Sequence, residues 1–289
     1  MKETLPSFSV VVPTYGRPCE LGACLEALCG VDYPAGHFEV IVVDDGSPTP
    51  MESVVAPFRE RMTVSLLRQE RSGPATARNT GAARAKGAFL AFTDDDCLPD
   101  PGWLKELAKW FAEAPDDMIG GRTINALLDN HFSTASQELI SYLYDYYASA
   151  YGQPRLFTSN NLAIPAWRFR EIGGFDTRFS LAAAEDRELC DRWLGGGLKM
   201  TYAPKAIVRH MHVLNLRSFW RQHFNYGRGA AHFHGLLAQR AGPPRRLEPI
   251  VFYLRLLRYL LVHPSAQGMV RILALFMLTQ AATAAGMLR

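Results

Sequence analysis

The 289-residue sequence contains neither of the two glycine-rich loops that most often bind nucleotide phosphates. One is G-x-G-x-x-G, which follows the first strand of dinucleotide-binding domains, and the other is the P-loop, G-x-x-x-x-G-K-S/T. The absence of both motifs disfavours dinucleotide-dependent dehydrogenases and P-loop NTPases.

Cysteine is scarce, and its spacing is not that of a disulfide framework or a zinc site. The chain has five cysteines, an odd number without any C-x-x-C pair: Cys19, Cys24, Cys29, Cys97 and Cys190. This pattern predicts reduced thiols in the cytosol. Residues 1–6 lead directly into a strand-like segment, so the sequence predicts no signal peptide.

Lysine is absent from residues 216–289, and Glu248 is the one acidic residue there. With ten arginines, this tail carries a net charge of +9, whereas residues 1–215 carry −6. A basic tail suits either nucleic acid or an anionic membrane. Long apolar runs between the arginines favour the membrane and disfavour nucleic acid.

The apolar part of this tail predicts peripheral membrane contact through residues 250–289. Residues 250–262 are apolar except for Arg255 and Arg258, which share one face of a predicted helix. Residues 269–288 are marginally long enough to span a bilayer but include Arg271 and Gln280, so we expect interfacial or protein-packed helices. The alternative is that these helices cover the rest of the protein or form a homodimer interface.

Alternating strands and helices occupy the first half of the chain. Apolar runs predict strands at 8–12, 38–43, 64–67 and 88–92, with Pro13 ending the first. Helical spacing predicts helices at 19–29 and 74–86, with Gly87 at the C-terminal cap of the second. This order predicts an α/β fold whose central sheet is mostly parallel, with helices on both faces. Further along, 157–164, 200–202 and 206–212 are predicted strands.

Acidic residues follow two of these strands. Asp44 and Asp45 end the second strand, and Asp94, Asp95 and Asp96 end the fourth. The carboxyl ends of parallel strands meet at one edge of a sheet, where α/β proteins bind ligands. Adjacent carboxylates repel one another, and a divalent cation, Mn or Mg, would let them stay ionised. The alternative is a solvated turn whose acids cap the next helix.

With these residues assembled, the chain resembles the family 2 glycosyltransferases, nucleotide-sugar-dependent enzymes of the GT-A fold. The resemblance covers about residues 6–215. It rests on six short motifs in a fixed order: VPTY at 12–15, VDDGS at 43–47, GPATARNTG at 73–81, FTDDD at 92–96, GGFD at 173–176 and ED at 185–186.

The resemblance implies a role for each matching residue on the donor side. It places the nucleotide sugar among Pro13, Tyr15, Arg17, Asp44 or Asp45, Arg78, Asp94 and Asp95. The divalent metal would be held by Asp94, Asp96 and His210, with Asp96 as a direct ligand and His212 as a competitor to His210. Without the resemblance, His210 is equally well read as a core histidine.

The resemblance also implies that Asp186 is the general base, which gives inversion at the anomeric carbon. Without the resemblance, an acid in the first turn of a helix complements the helix dipole. Residues on the acceptor side would be Asn160, Asn161 and Glu185, although polar residues in a strand also pair with neighbouring loops.

The sequence therefore predicts a GT-A catalytic domain at 1–215, with the nucleotide sugar bound by about 6–121 and the acceptor by about 122–215. A helical, basic and apolar extension follows at 216–289. We expect an inverting, metal-assisted glycosyltransferase that acts on a glycan or lipid-linked hydroxyl, in the cytoplasm at the inner face of the membrane. The alternatives are a sugar-phosphate nucleotidyltransferase or a non-catalytic nucleotide-sugar-binding protein.

Processive polysaccharide synthases of the family carry Q-x-x-R-W beside several membrane spans. The nearest match is residues 222–226, QHFNY, which lacks the Arg and the Trp. This difference favours transfer of one or a few sugars.

Overall fold

An eight-stranded sheet runs through the protein. The computed structural model describes residues 5–241, 249–262 and 268–289, so the predicted start at 1–4 and parts of the predicted extension lie outside the described residues. In chain order the strands are β1 Phe8–Thr14, β2 Phe38–Asp44, β3 Val64–Arg68, β4 Phe89–Phe92, β5 Cys97–Pro99, β6 Met118–Asn125, β7 Leu162–Pro165 and β8 Met200–His210.

The sheet order is β3-β2-β1-β4-β7-β6-β8-β5. The pairs β1–β2, β2–β3, β1–β4 and β6–β8 are parallel, whereas β4–β7, β6–β7 and β5–β8 are antiparallel. The predicted mostly parallel sheet is thus confirmed. Its antiparallel strands lie in the half that follows β4.

Helices cover both faces of the sheet. They are α1 Pro18–Cys29, α2 Glu52–Val55, α3 Pro74–Arg84, α4 Trp103–Glu113, α5 His131–Tyr151, α6 Ala166–Glu171, α7 Glu185–Gly195, α8 Leu216–Ala241, α9 Ile250–Val262 and α10 Met269–Met287. Alternate residues of a strand point to opposite faces. Accordingly, Val10 and Val12 of β1 pack with α1 and α4, and Val11 packs with α3, α6 and α7.

Two predicted ends were wrong. β1 continues through Pro13 to Thr14, because β4 pairs with β1 only as far as Val11 and the missing N–H of Pro13 breaks no ladder bond on that side. Helix α3 ends at Arg84, so Gly87 is not its cap. A Cβ at Gly87 would lie 2.5 Å from the Ser9 nitrogen, and this close approach explains the glycine.

Three predicted strands also differ from the structure. The strand predicted at 157–164 is shortened to β7, because Ser159–Asn161 forms a 3-10 turn before it. The strands predicted at 200–202 and 206–212 are one strand, β8, which ends at His210 and leaves His212 outside the sheet. The irregularity between them lies in the pairing with β6, next to Gly121 and Arg122.

The C-terminal helices pack against α5 and form a third apolar cluster, to which α5, α8, α9 and α10 contribute. Glycines allow α8 and α10 to touch. A Cβ at Gly227 would lie 2.0 Å from the Thr283 carbonyl oxygen, and one at Gly286 would lie 2.0 Å from the Phe224 carbonyl oxygen. By length and composition, Val270–Met287 of α10 could cross a membrane, although one side of α10 is packed against the protein.

Replacing Gly227 by alanine should lower the free energy of unfolding by about 1–3 kcal/mol, because a methyl group at backbone contact distance forces α8 and α10 apart. Urea denaturation measures this change. Gly235→Ala is the matched control, since nothing lies within 4 Å of its Cβ position on the same helix. That control should gain up to about 1 kcal/mol from helix propensity. Equal stability of Gly227→Ala and wild type would contradict the close packing.

Candidate active site

The three acids that follow β4 lie at the carboxyl end of the sheet, next to the end of β1. Thr14 Oγ1 donates to Asp95 Oδ2 at 2.8 Å. Nη1 of Arg17 donates to Asp95 Oδ1 at 3.1 Å and to Asp96 Oδ2 at 2.8 Å. Burial raises the pKa of Asp95 to about 7, although Arg17 opposes that shift. The arginine thus partly neutralises a buried carboxylate pair.

A second basic group approaches Asp96 from β8. His210 Nε2 lies 3.2 Å from Asp96 Oδ1. Burial opposes the ionisation of both groups, yet each stabilises the charge of the other: the pKa of Asp96 lies well below its usual range, and that of His210 is raised. The pairing of β5 with β8 produces this contact, because Cys97 is opposite His210 in the register.

Ligand atoms of Asp96, Cys97 and His210 lie within 4.8 Å of one another. A carboxylate and an imidazole are suitable ligands for Mn²⁺, so this part of the site fits a divalent cation. Asp94, also predicted as a ligand, is absent from this group, and its Oδ1 accepts a hydrogen bond from Arg78 Nη2 at 2.7 Å. The structure therefore brings two of the three predicted metal ligands together.

The competing residue, His212, stacks on His210 with 3.9 Å between the ring centroids. Both of its ring nitrogens are buried without a hydrogen-bond partner. Burial lowers the pKa of His212 to about 3, so the imidazole is neutral. Its position behind His210 favours His210 as the residue that faces Asp96.

A cavity of about 550 Å³ opens in front of the acids and is named here the Asp45 cavity. Pro13 and Tyr15 line it, and the guanidinium of Arg71 lies 4.1 Å from the centre of the Tyr15 ring. The Asp45 carboxylate accepts hydrogen bonds from the backbone nitrogens of Ser72 and Gly73, at 2.8 and 2.9 Å. These bonds fix the loop that precedes α3.

Asp44 lies elsewhere. It is fully buried, accepts hydrogen bonds from Ser47 N at 2.8 Å and Arg68 Nη1 at 3.1 Å, and is not among the residues that line the Asp45 cavity. Of the two acids that the sequence offers for the nucleoside, the structure therefore places Asp45 at the cavity and uses Asp44 to hold the turn after β2.

A second cavity, of about 230 Å³, is named the Asp186 cavity. Asp186 lies in the first turn of α7, where Oδ1 accepts a hydrogen bond from Arg187 N at 2.7 Å and Oδ2 accepts one from Ser159 N at 3.4 Å. The preceding residue Glu185 also lines the cavity. Burial raises the pKa of both carboxyl groups. The negative charge of Asp186 raises the pKa of Glu185 further.

The turn into α7 is strained. Ala184 has φ +69°, the one positive value among the non-glycine residues that the structure describes. An alanine in the left-handed region costs roughly 1–3 kcal/mol and persists only where the surroundings enforce it. This conformation begins the helix that carries Glu185 and Asp186.

Arg78 joins the two cavities. Its guanidinium is buried and donates to Asp94 Oδ1 at 2.7 Å and to Glu185 Oε1 at 3.0 Å. One side chain of α3 therefore connects the acidic loop after β4 with the first turn of α7. Residues on the walls of both cavities are Arg78, Asp94, Ala182, His210, His212, Gln222 and Tyr226.

Two of these shared residues, Gln222 and Tyr226, belong to α8 and were not predicted as site residues. Helix α8 begins directly after the predicted domain boundary, yet its side chains line both cavities. Their four-residue separation, which places both on one helix face, was the signal available in the sequence. The predicted extension thus contributes to the site.

The two predicted asparagines have different positions. Asn160 lines the Asp186 cavity, where its Oδ1 accepts a hydrogen bond from Thr158 Oγ1 at 2.8 Å. Asn161 does not line it: its Oδ1 accepts from Trp103 Nε1 at 2.9 Å, and its Nδ2 donates to the Ala206 carbonyl at 2.9 Å. The Asn161 side chain therefore links α4 to β8 and does not line the Asp186 cavity.

Comparisons with known proteins agree with this fold. Residues 9–174, more than half of the chain, match the family model of glycosyl transferase family 2. The chain belongs to this family, which confirms the predicted family and enzyme class.

Two relatives and one solved structure illustrate the similarity. Glycosyltransferase AglE of Haloferax volcanii is 28% identical over 213 residues, 73% of this chain and 68% of AglE. Pre-mycofactocin glycosyltransferase of Mycobacterium tuberculosis is 31% identical over 234 residues, 77% of this chain but only 46% of that protein. Mannosyltransferase PcManGT from Pyrobaculum calidifontis, in complex with GDP-Man and Mn²⁺, superposes with a TM-score of 0.65 at 21% identity, covering 97% of this chain and 76% of PcManGT. The last comparison supports the GT-A fold.

Proposed function

We propose that this protein transfers a sugar from a nucleoside-diphosphate sugar to an acceptor hydroxyl, with inversion at the anomeric carbon. The observation that carries the proposal is the shared wall of the two cavities. A donor in the Asp45 cavity and an acceptor in the Asp186 cavity would meet at Arg78, Asp94 and Tyr226. The partly buried carboxylate of Asp186 lies in the Asp186 cavity, on the acceptor side of that wall.

The Asp45 cavity suits the donor. Pro13 and Tyr15 offer an apolar and an aromatic surface for the base, and the Asp45 carboxylate can accept a hydrogen bond from the nucleoside. Arg78 and Arg17 supply positive charge on the side where the phosphates would lie. PcManGT, which has the same fold, was solved with GDP-Man and Mn²⁺.

Asp96 and His210 would hold a divalent cation, Mn²⁺ or Mg²⁺, with Asp94 nearby on the cavity wall. When bound, such an ion neutralises the charge that develops on the departing diphosphate. Arg17, which donates to both Asp95 and Asp96, holds the two carboxylates in place at the edge of the same cavity.

Asp186 would act as the general base. Its two oxygens are held by backbone N–H groups of Arg187 and Ser159, which orient the carboxylate at the cavity. It takes the proton from the acceptor hydroxyl as that oxygen attacks the anomeric carbon, and the nucleoside diphosphate leaves from the opposite side, giving inversion. Arg78 donates to the neighbouring Glu185 and opposes the rise in its pKa, and this contact holds Glu185 apart from the role of base.

The alternatives receive less support. A sugar-phosphate nucleotidyltransferase is disfavoured by membership of glycosyl transferase family 2. A binding protein without catalysis needs no oriented carboxylate on the acceptor side of the shared wall, yet Asp186 lies there.

The direct test uses purified full-length protein with GDP-mannose, UDP-glucose and UDP-N-acetylglucosamine, each with Mn²⁺ and an extract of membrane lipids as acceptor. We expect release of nucleoside diphosphate from one donor, and NMR of the product should show the inverted anomer. A product with the retained configuration would contradict the role of Asp186. No diphosphate release from any donor would contradict the transferase proposal.

We also propose peripheral membrane contact through 250–289, at the cytoplasmic face, leaving aside 263–267, which lie outside the described residues. Helix α9 turns an apolar face away from the protein, where Ile250, Leu254, Leu257 and Leu261 are 45–70% exposed. Arg255 and Arg258 are exposed on the same helix. An outward apolar face flanked by arginines suits the interface of an anionic bilayer.

The protein should cosediment with phosphatidylglycerol vesicles and much less with phosphatidylcholine vesicles. Replacing Leu254 and Leu257 together by glutamate should weaken vesicle binding by more than about tenfold, because each leucine loses its buried apolar area. Leu128→Glu, at an exposed leucine outside the helix, is the control and should bind normally. A stable dimer in solution without vesicle binding would support the homodimer alternative instead.

A further inference from the structure

The Asp186 cavity has an aliphatic side of its own. Ile140, Leu143 and Leu156 line the Asp186 cavity only. The residues that both cavities share mark the end where the donor would lie. These three aliphatic residues therefore border the space for the acceptor, away from the nucleotide.

The position of this side follows from α5. Gln137, Ile140 and Leu143 follow one another at three-residue spacing and lie on one face of the helix. One turn later, Tyr147 Oη accepts a hydrogen bond from Arg187 Nη2 at 3.4 Å, next to Asp186. Leu156 precedes by three residues the backbone nitrogen of Ser159 that donates to Asp186. The aliphatic side chains thus lie near the proposed base.

Three polar side chains on the walls of this cavity are already bonded to the protein. Gln137 Nε2 donates to the Thr123 carbonyl at 2.9 Å, and Gln222 Nε2 donates to Ser136 Oγ at 2.8 Å. The Asn160 amide oxygen accepts from Thr158 Oγ1 at 2.8 Å. A sugar ring against this aliphatic side would bury hydroxyl groups that find no partner there, which is unfavourable, whereas a hydrocarbon would gain from burial against the leucines.

We infer that the acceptor is an amphipathic molecule whose reactive hydroxyl lies close to a hydrocarbon part, and not an oligosaccharide. This inference rests on the proposed function of the Asp186 cavity. It agrees with the position of α5, whose other side contacts the outward-facing helix α9 through a hydrogen bond from Tyr142 Oη to the Phe252 carbonyl. A single helix therefore separates the acceptor cavity from the proposed membrane surface.

The test compares acceptors that differ only in their alkyl chain: 1-O-octylglycerol with glycerol, and octyl glucoside with glucose. Diphosphate release and mass spectrometry of the product measure transfer. In the pair that serves as acceptor, we expect kcat/KM to be at least about tenfold higher for the octyl compound than for the compound without the octyl chain. The reason is that each buried methylene adds to binding. Equal or better use of glycerol or glucose would overturn the inference.

Substitutions at Leu143 test whether the alkyl chain of the acceptor binds at the aliphatic side of the Asp186 cavity. Leu143→Asn should lower kcat/KM for the octyl acceptor by about tenfold or more through KM, with donor affinity unchanged. Leu143→Met should restore most of this loss, and Ser149→Asn, an exposed position on the same helix, is the control. Unchanged kinetics in a folded Leu143→Asn protein would also overturn the inference. Failure of the wild-type protein to bind any nucleotide donor would instead contradict the proposed function, so the two failures are distinguishable.

Discussion

Asp186→Asn is expected to lower the rate of sugar transfer by about 10²- to 10⁴-fold and to leave the affinity for the donor unchanged. General bases contribute about this much to catalysis. The amide keeps the shape of the carboxylate and can still accept the hydrogen bond from Arg187 N, but it cannot take a proton at neutral pH. Steady-state kinetics and calorimetric donor binding measure the two effects separately.

Asp191→Asn is the matched control for Asp186, because it removes an acid from the same helix at a position that lines neither cavity. It should retain nearly full transfer. Near-normal turnover of Asp186→Asn would show that another group accepts the proton, and Glu185, next in the chain and on the same cavity wall, would be the first candidate.

The pH dependence gives a second readout of the same residue. Burial raises the pKa of Asp186, and the base must be ionised, so kcat/KM should fall as the pH falls through this raised pKa. The acid limb is therefore expected above the ordinary aspartate pKa of about 3.9. The residual activity of Asp186→Asn should lack this limb.

Asp96→Ala is expected to weaken metal-dependent donor binding by at least about 100-fold. Loss of groups that merely support metal ligands typically costs 10–100-fold, so loss of a direct ligand should cost at least as much. The substitution also leaves His210 and Arg17 without one of their carboxylate partners. Calorimetric titration of the nucleotide in the presence of Mn²⁺ measures the loss.

Asp129→Ala removes an exposed carboxylate of the same charge and should bind donor and metal like the wild type. Circular dichroism of Asp96→Ala checks that the fold is intact. If a folded Asp96→Ala protein binds the nucleotide as tightly as the wild type in Mn²⁺, the metal is not held where we place it.

Local patterns in the sequence were sufficient to predict the first half of the fold. The runs that became β1, β2 and β4 are mostly apolar because these strands are covered on both faces. Acids at the ends of β2 and β4 therefore had to lie at one edge of the sheet. That argument depends on topology alone, and four of the five acids, Asp45, Asp94, Asp95 and Asp96, line one cavity, whereas Asp44 does not.

Local patterns could not predict the contacts between segments that lie far apart in the sequence. The three-residue strand β5 is too short to show a period, yet its pairing with β8 places His210 beside Asp96. Asp44 and Asp45 are chemically identical neighbours, and only the bonds from Ser47 and Arg68 distinguish the structural acid from the one at the cavity. No sequence pattern predicts which of two adjacent carboxylates is used in this way.

The C-terminal region shows the same limit. Its composition predicted helices with an apolar surface, and the outward face of α9 agrees with that prediction. Composition could not predict that α8 would fold over the sheet edge and bring Gln222 and Tyr226 to both cavities. The close approach of α8 to α10 at Gly227 and Gly286 belongs to the same arrangement.

The most direct test of the central claim is calorimetric titration of the purified protein with UDP, GDP and dTDP, each with Mn²⁺ and with a chelator. We predict that one of the three binds tightly in Mn²⁺ and that this binding is lost in the chelator, because Asp96 and His210 would hold the ion that in turn binds the phosphates of the nucleotide. If none of the nucleotides binds with Mn²⁺ present, the acidic residues after β4 do not form a donor site, and the proposed transferase activity is contradicted.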